Sequence, residues 1–264
     1  MSRTPRLFTA YFDASGHPDA VEDNACLVVS GFVSDQRKWA RYDEQLSEHL
    51  VAYEIVGGFH MTEFEAGSGQ YGPWRKDTQR RDAFLLRFTE IVRRNTNKGF
   101  SAAVVIPDLR RLFMIYEAPV ENPYPWCAQQ ALMMMSIWSG RRAKARTAKG
   151  SDQLRVVFER GDKHAGELMA IAKEDFGLTI EFLPKRNGPL AFQACDWLAW
   201  EHRKALSNHV KRDYSQFRES LAQLRERFHS DQFRYSDWNT LVKVAEKFGY
   251  PKREGAAIEI LVTE

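Results

Sequence analysis

Three carboxylates stand where a carboxylate is costly. Residues 7–16 read LFTAYFDASG, and Asp13 closes an apolar, aromatic run just before the chain turns. Residues 154–161 read LRVVFERG, and Glu159 closes a second such run two residues before a glycine. Residues 190–200 read LAFQACDWLAW, and Asp196 interrupts a stretch that is otherwise nearly all apolar. An ionised carboxylate among apolar neighbours must be paired, hydrogen-bonded or bound to a metal. Converging carboxylates suit Mg²⁺ or Mn²⁺, hard cations that prefer oxygen ligands. Two such ions, held ~4 Å apart by shared carboxylates, activate a water and stabilise the leaving oxygen of a phosphodiester.

Each residue also has a plainer reading. By the period of two, Asp13 shares a strand face with Leu7, Thr9 and Tyr11. There it can accept hydrogen bonds from the turn amides of Ser15 and Gly16. Glu159 can form an edge salt bridge with Arg155 or Arg160. Asp196 shares a helix face with Phe192, Ala199 and Trp200, so the helix must bury it or rotate it to the surface. Asp162 reads as the N-cap of HAGELMAIAK rather than as a ligand. The stretch FHMTEFE adds Glu63 and Glu65. Glu63 and His60 face inward if Phe59 and Phe64 anchor the loop, and His60 is then a candidate for proton transfer. The histidines and cysteines form no comparable cluster.

The elements that must position these groups follow from periodicity. Strands are predicted over 6–13 and 25–33, paired as an antiparallel hairpin across the turn-rich GHPDAVEDN. Trp39, Tyr42, Leu46 and Leu50 mark a helix over 36–53. Five glycines between positions 57 and 72 predict a loop with little regular structure. Next come an amphipathic helix over 76–95 with a basic outer face, a buried strand over 100–106 and a helix over 126–146. A strand over 154–160, a helix over 164–176, a strand over 179–183 and a helix over 189–206 complete the main body. The tail reads as helices near 213–229 and 237–248, with a strand over 256–262. Strands first, then alternating strands and helices, imply an α/β sheet layered with helices. The basic segment 141–152 reads as a hinge or, preferably, a solvated surface loop. No internal repeat is present.

Composition narrows the class. The chain has 264 residues, 44% apolar and 28% charged, as in an ordinary globular protein. A net charge of +3 is too weak to argue for nucleic acid by itself. Cys26, Cys127 and Cys195 are scattered and odd in number, which favours neither a disulfide framework nor a zinc site. The N-terminus lacks the apolar core of a signal peptide, and no apolar run approaches the ~18 residues of a membrane span. A reduced, soluble, cytoplasmic protein is expected.

Other motifs fall away. In DASG, Ala14 breaks the Asp-Ser/Thr-Gly of aspartic proteases, and no second copy exists. Actin-like sugar kinases need further phosphate loops, which are missing. GSGQYG lacks the Gly-Lys-Ser/Thr of a P-loop. The Met133–Met135 run reads as core filling, and Cys127 as a buried thiol. Basic residues are dense over 75–98, 141–149 and 203–227, and would form a phosphate-binding rim if they met near the carboxylates. Taken singly, each is better read as a solvated helix face. Trp74 and Trp126, each beside a proline, are either base-stacking platforms or packing residues.

YFDASG, FHMTEF, FERGD and LAFQACDWLAWE together resemble domain-of-unknown-function family 3800. Its members typically begin with Asp-Glu-Ser-Gly and end with a Gln-x-Ala-Asp helix. The resemblance spans roughly residues 6–206. It implies a ribonuclease-H-like mixed sheet layered with helices, with a helical insertion around 107–150 and a helical extension over 207–264 packed on the same domain. Carried over, Asp13, Glu159 and Asp196 match the family acids and would be metal ligands. Glu63 is a weaker match and would be a fourth ligand, and Gln193 would orient neighbours rather than ligate. Ala14 stands where Glu is usual, and Cys195 where Ala is common. The resemblance implies a nuclease that uses Mg²⁺ or Mn²⁺ to hydrolyse RNA or DNA. The alternative is a catalytically inactive protein of the same fold that binds nucleic acid or another partner, which Ala14 slightly favours.

Overall fold

The computed structural model describes residues 6–145, 153–161, 164–211, 222 and 233–254. Its centre is β1 (Leu7–Ser15) and β2 (Cys26–Asp35), a hairpin in which Asp13 lies opposite Ser30. β3 (Lys98–Val105) continues the antiparallel meander beyond β2. On the other side of β1, β4 (Gln153–Glu159) and then β5 (Ile180–Leu183) run parallel to it. The sheet order is therefore β5-β4-β1-β2-β3, with β6 (Phe233–Ser236) added parallel to β3. Three antiparallel strands, with two parallel strands attached beside the first, make the ribonuclease-H-like sheet expected from the sequence.

Alternation along β1 divides the core. Phe8, Ala10 and Phe12 enter one cluster, while Tyr11 packs against the other. The first cluster is covered by α4 (Ile106–Ile115), α5 (Pro123–Ala145), α6 (Ala165–Phe176) and α8 (Trp238–Phe248). The second face carries α1 (Gln36–Ala52), α2 (Met61–Ala66), a 3₁₀ turn at Gly69–Trp74, α3 (Thr78–Asn95) and α7 (Ala191–Val210). A sheet covered on both faces explains why β2 is buried at every position but its last. Gly31 is required there, because a Cβ would come within 2.3 Å of the Phe12 ring.

The structure departs from the sequence reading in definite ways. Residues 57–72 are not an irregular loop but hold α2 and most of the 3₁₀ turn. Phe59, Phe64 and Trp74 are buried and bring these short helices onto Phe84 of α3, with buried Tyr71 packed against all three. The glycines serve as turns: Gly67 closes α2 in the left-handed region at φ 57°. Trp74 and Trp126 are core residues, 4% and 2% exposed, and are unavailable for stacking bases. β6 lies in a tail read as helical, and α7 continues past residue 206 to Val210. The expected N-cap Asp162, most of the helix over 213–229, the strand over 256–262 and the side chains of the 141–149 basic run lie outside the described residues.

Candidate functional site

Parallel pairing brings strand ends together. β1 and β4 pair up to Phe12 and Phe158, so the next residues, Asp13 and Glu159, leave adjacent strands at the same edge. β4 and β5 pair up to Glu159 and Leu183, and Lys185 follows two residues later. Carboxyl ends of neighbouring parallel strands are the usual place for a site in an open α/β sheet. Asp196 arrives from another direction. α7 lies across β1 and β2, with the Cys195 thiol donating to the Tyr11 carbonyl at 3.2 Å, and the next residue is Asp196.

The three carboxylates meet around one cation. Lys185 Nζ lies 2.7 Å from Asp13 Oδ2, 3.1 Å from Asp196 Oδ1 and 3.7 Å from Glu159 Oε2. The remaining oxygens of the two aspartates are held by backbone. Asp13 Oδ1 accepts from the Ala14 amide at 2.7 Å, and Asp196 Oδ2 from the Met61 amide at 2.8 Å. Side-chain exposure falls from 28% at Glu159 to 13% at Asp196 and 2% at Asp13. Burial and the adjoining Glu159 carboxyl push Asp13 up to about 8, against the pull of the Lys185 ammonium. Asp13 therefore keeps its proton to a higher pH than a solvent-exposed aspartate does. Lys185 is held above the usual lysine range: its three anionic neighbours outweigh its burial.

Beside Asp13 and Glu159 lies an open cleft of about 180 Å³, also lined by Ala14, Tyr124, Arg160 and Gly161. Arg160 donates to the Phe182 carbonyl at 3.2 Å, and Arg203 donates through Nε to Ser15 Oγ at 2.9 Å. Both guanidinium groups therefore sit at the carboxylate edge. On the α7 side, a polar row continues across the sheet from Asp13. Ser30, its partner across the hairpin, is 2.6 Å from Ser101 Oγ, which is 2.7 Å from His202 Nδ1.

Sequence reasoning named Asp13, Glu159 and Asp196, and the fold brings them together. Glu63 is exposed on α2, and His60 occupies the N-cap of α2 without making a side-chain cap. Among the described residues, no hydrogen bond or ion pair joins Glu63 or His60 to the three acids. Their link is indirect: the Met61 amide that holds Asp196 lies between them in sequence. Gln193 accepts from the Phe59 amide at 2.8 Å, so it fixes the segment leading into α2 rather than touching a carboxylate. The plain readings of Glu159 do not hold, because Arg155 pairs with Glu181 and Arg160 with a carbonyl. Much of the basic face of α3 is spent locally, in Arg81–Glu65, Arg87–Glu90 and Arg94–Glu90 pairs. Lys185 is the residue that sequence reasoning missed. Its signal was faint: a lysine in the polar turn PKRNG, two residues beyond a short strand.

A hard cation requires oxygen donors, and three carboxylates provide them. Their convergence on the Lys185 ammonium already demonstrates that they can surround a positive charge. As they stand they surround it at ammonium distances. Among the described residues no cluster is drawn in tightly enough to ligate a metal. The donor type is the one Mg²⁺ or Mn²⁺ takes, and the Lys185 ammonium occupies the point on which the donors converge.

No family model and no curated protein matches the sequence. Among solved structures, a chain of the PCNA:RNase HII complex from Archaeoglobus fulgidus is 14% identical, with a TM-score of 0.40 over 92% of this chain and 90% of that chain. Ribonuclease H2 from Pyrococcus horikoshii OT3 is 12% identical, with a TM-score of 0.38 over 92% of this chain and 99% of that chain. Likenesses this distant carry no functional weight, and the fold assignment rests on the strand order. Among the described residues no helix is long and apolar enough to cross a membrane.

Proposed function

We propose that this chain is a divalent-metal-dependent nuclease, hydrolysing phosphodiester bonds of RNA or DNA, of the kind suggested by its resemblance to domain-of-unknown-function family 3800. One observation carries the reading: Asp13, Glu159 and Asp196, from three separate elements, gather around one positive charge beside an open cleft. These three residues would hold Mg²⁺ or Mn²⁺, which when bound supplies a Lewis acid and lowers the pKa of a water. The chain's own part is positioning. β1 and β4 fix two carboxylates at adjacent strand ends, and the Met61 amide orients the third. Arg160 and Arg203 flank the edge and provide charge-assisted donors for phosphate oxygens. His60 and Glu63 stay outside the proposed ligand set.

The test is cleavage of end-labelled RNA, DNA and hybrid duplex with Mg²⁺ or Mn²⁺. Asp13→Asn and Asp196→Asn are each expected to lower the rate at least ~100-fold, the usual scale for lost transition-state charge stabilisation. Wild-type rates in both variants would remove the proposal.

A second reading is favoured by two observations. Ala14 puts a methyl group in the cleft where the resembling family carries an acid, and Lys185 already neutralises part of the carboxylate cluster. On this reading the protein binds nucleic acid through its basic edge without cleaving it. Binding would then persist in EDTA and in Asp13→Asn.

A further inference from the structure

Lys185 is the cation that three acids share, and its setting is specific. Its side chain is only 17% exposed, and two of its three oxygen partners lie within hydrogen-bonding distance. Its backbone is fixed independently of those contacts. The Gly188 amide donates to the Lys185 carbonyl at 3.1 Å, and Asn187 adopts φ 58°, closing a tight turn. The turn is closed tightly enough to exclude a side chain at position 188, where a Cβ would lie 1.8 Å from the Pro184 carbonyl oxygen. A metal held by the same three carboxylates needs oxygen distances of roughly 2.0–2.6 Å around its own centre. An ammonium and a divalent ion cannot both occupy that point.

We propose that Lys185 is the resident counter-cation of the carboxylate site, and that a divalent ion binds there by exchange with it. The proposal rests on the metal reading given above and adds how the site is kept without metal. Without the ammonium, three clustered carboxylates would repel one another and face a desolvation penalty. With it, the cluster is preformed, and the ion must displace a flexible four-carbon side chain rather than assemble the site. Because the turn is held by backbone contacts, the exchange needs a rotation of the side chain alone. The cost is affinity: the metal-competent arrangement is only a fraction of the population, and apparent affinity falls by that fraction.

The experiment is a Mn²⁺ titration of EDTA-stripped, full-length protein, read from the electron paramagnetic resonance signal of free Mn²⁺. Wild type, Lys185→Met and Asp196→Asn are compared. Exchange predicts that Lys185→Met binds Mn²⁺ roughly tenfold or more tightly than wild type, and that Asp196→Asn binds more weakly. Equal affinities in wild type and Lys185→Met would overturn the exchange and leave the metal site standing. Absence of Mn²⁺ binding in both would overturn the exchange and the metal reading together. Should Lys185→Met fail to fold, wild type alone still tests the exchange. Reaction of Lys185 with an amine-acylating ester, read by mass spectrometry, should rise several-fold with Mn²⁺ and return with EDTA. Labelling that stays constant or falls while Mn²⁺ is bound would refute the displacement.

Discussion

Replacing Asp13 with asparagine should change stability in a strongly pH-dependent way. Burial and the Glu159 carboxyl raise Asp13 from 3.8 to about 8. The unfolded chain therefore gives up this proton near pH 4, whereas the folded protein keeps it until near pH 8. Between those values the native state binds more protons, so wild-type stability falls as pH rises, and above pH 8 the loss is complete. Each pKa unit is worth about 1.4 kcal/mol, which sets a ceiling of about 6 kcal/mol. Asp13 titrates within the field of the charges around it, so on the order of 2–3 kcal/mol of that ceiling is expected. The side-chain amide introduced by Asp13→Asn does not titrate, and the variant escapes this loss. Urea unfolding followed by tryptophan fluorescence, in EDTA at pH 4, 6 and 8, measures the difference between the two proteins. Distant titrating groups largely cancel in that difference. Relative to wild type, Asp13→Asn should gain about 2–3 kcal/mol between pH 4 and pH 8. A flat difference, or a relative loss for the variant as pH rises, would show that Lys185 holds Asp13 ionised and would refute the reasoning.

Two further outcomes follow from the positioning contacts. Asp196→Ala leaves the Met61 amide without its acceptor, so α2 should loosen at a cost of about 1–3 kcal/mol, and proteolysis between 57 and 75 should quicken. Asp196→Asn, which keeps an oxygen there, should protect the segment far better. Gly188→Ala forces a methyl group against the Pro184 carbonyl and should destabilise the protein by about 2 kcal/mol or more in the same urea assay. Unchanged unfolding midpoints in Gly188→Ala would show that the turn is not held as described.

Much of this molecule was written locally. Asp13, Glu159 and Asp196 were legible because a charge inside an apolar run has few inexpensive explanations. The strands around the first two were legible because β-branched and aromatic residues end at glycines, and α7 because its apolar stretch is too long for a strand. The segment 57–72 was misread for a related reason. Five glycines outweighed three aromatics in the local pattern, and only packing on α3 showed that Phe59, Phe64 and Tyr71, with Trp74 just beyond, decide its structure. β6 was missed because a four-residue strand has too little periodicity to announce itself, and it exists by pairing with β3.

The sequence alone determined which acids were out of place and the apolar segments that carry them. What those acids face was decided by the sheet order, which sets β4 beside β1 and β5 beside β4. That order carries Lys185 across 172 positions of chain to a hydrogen bond with Asp13. A lysine in a polar turn looks like any surface lysine in sequence. Its role depends on a distance, and a distance between remote residues is fixed only when strands pair and helices pack.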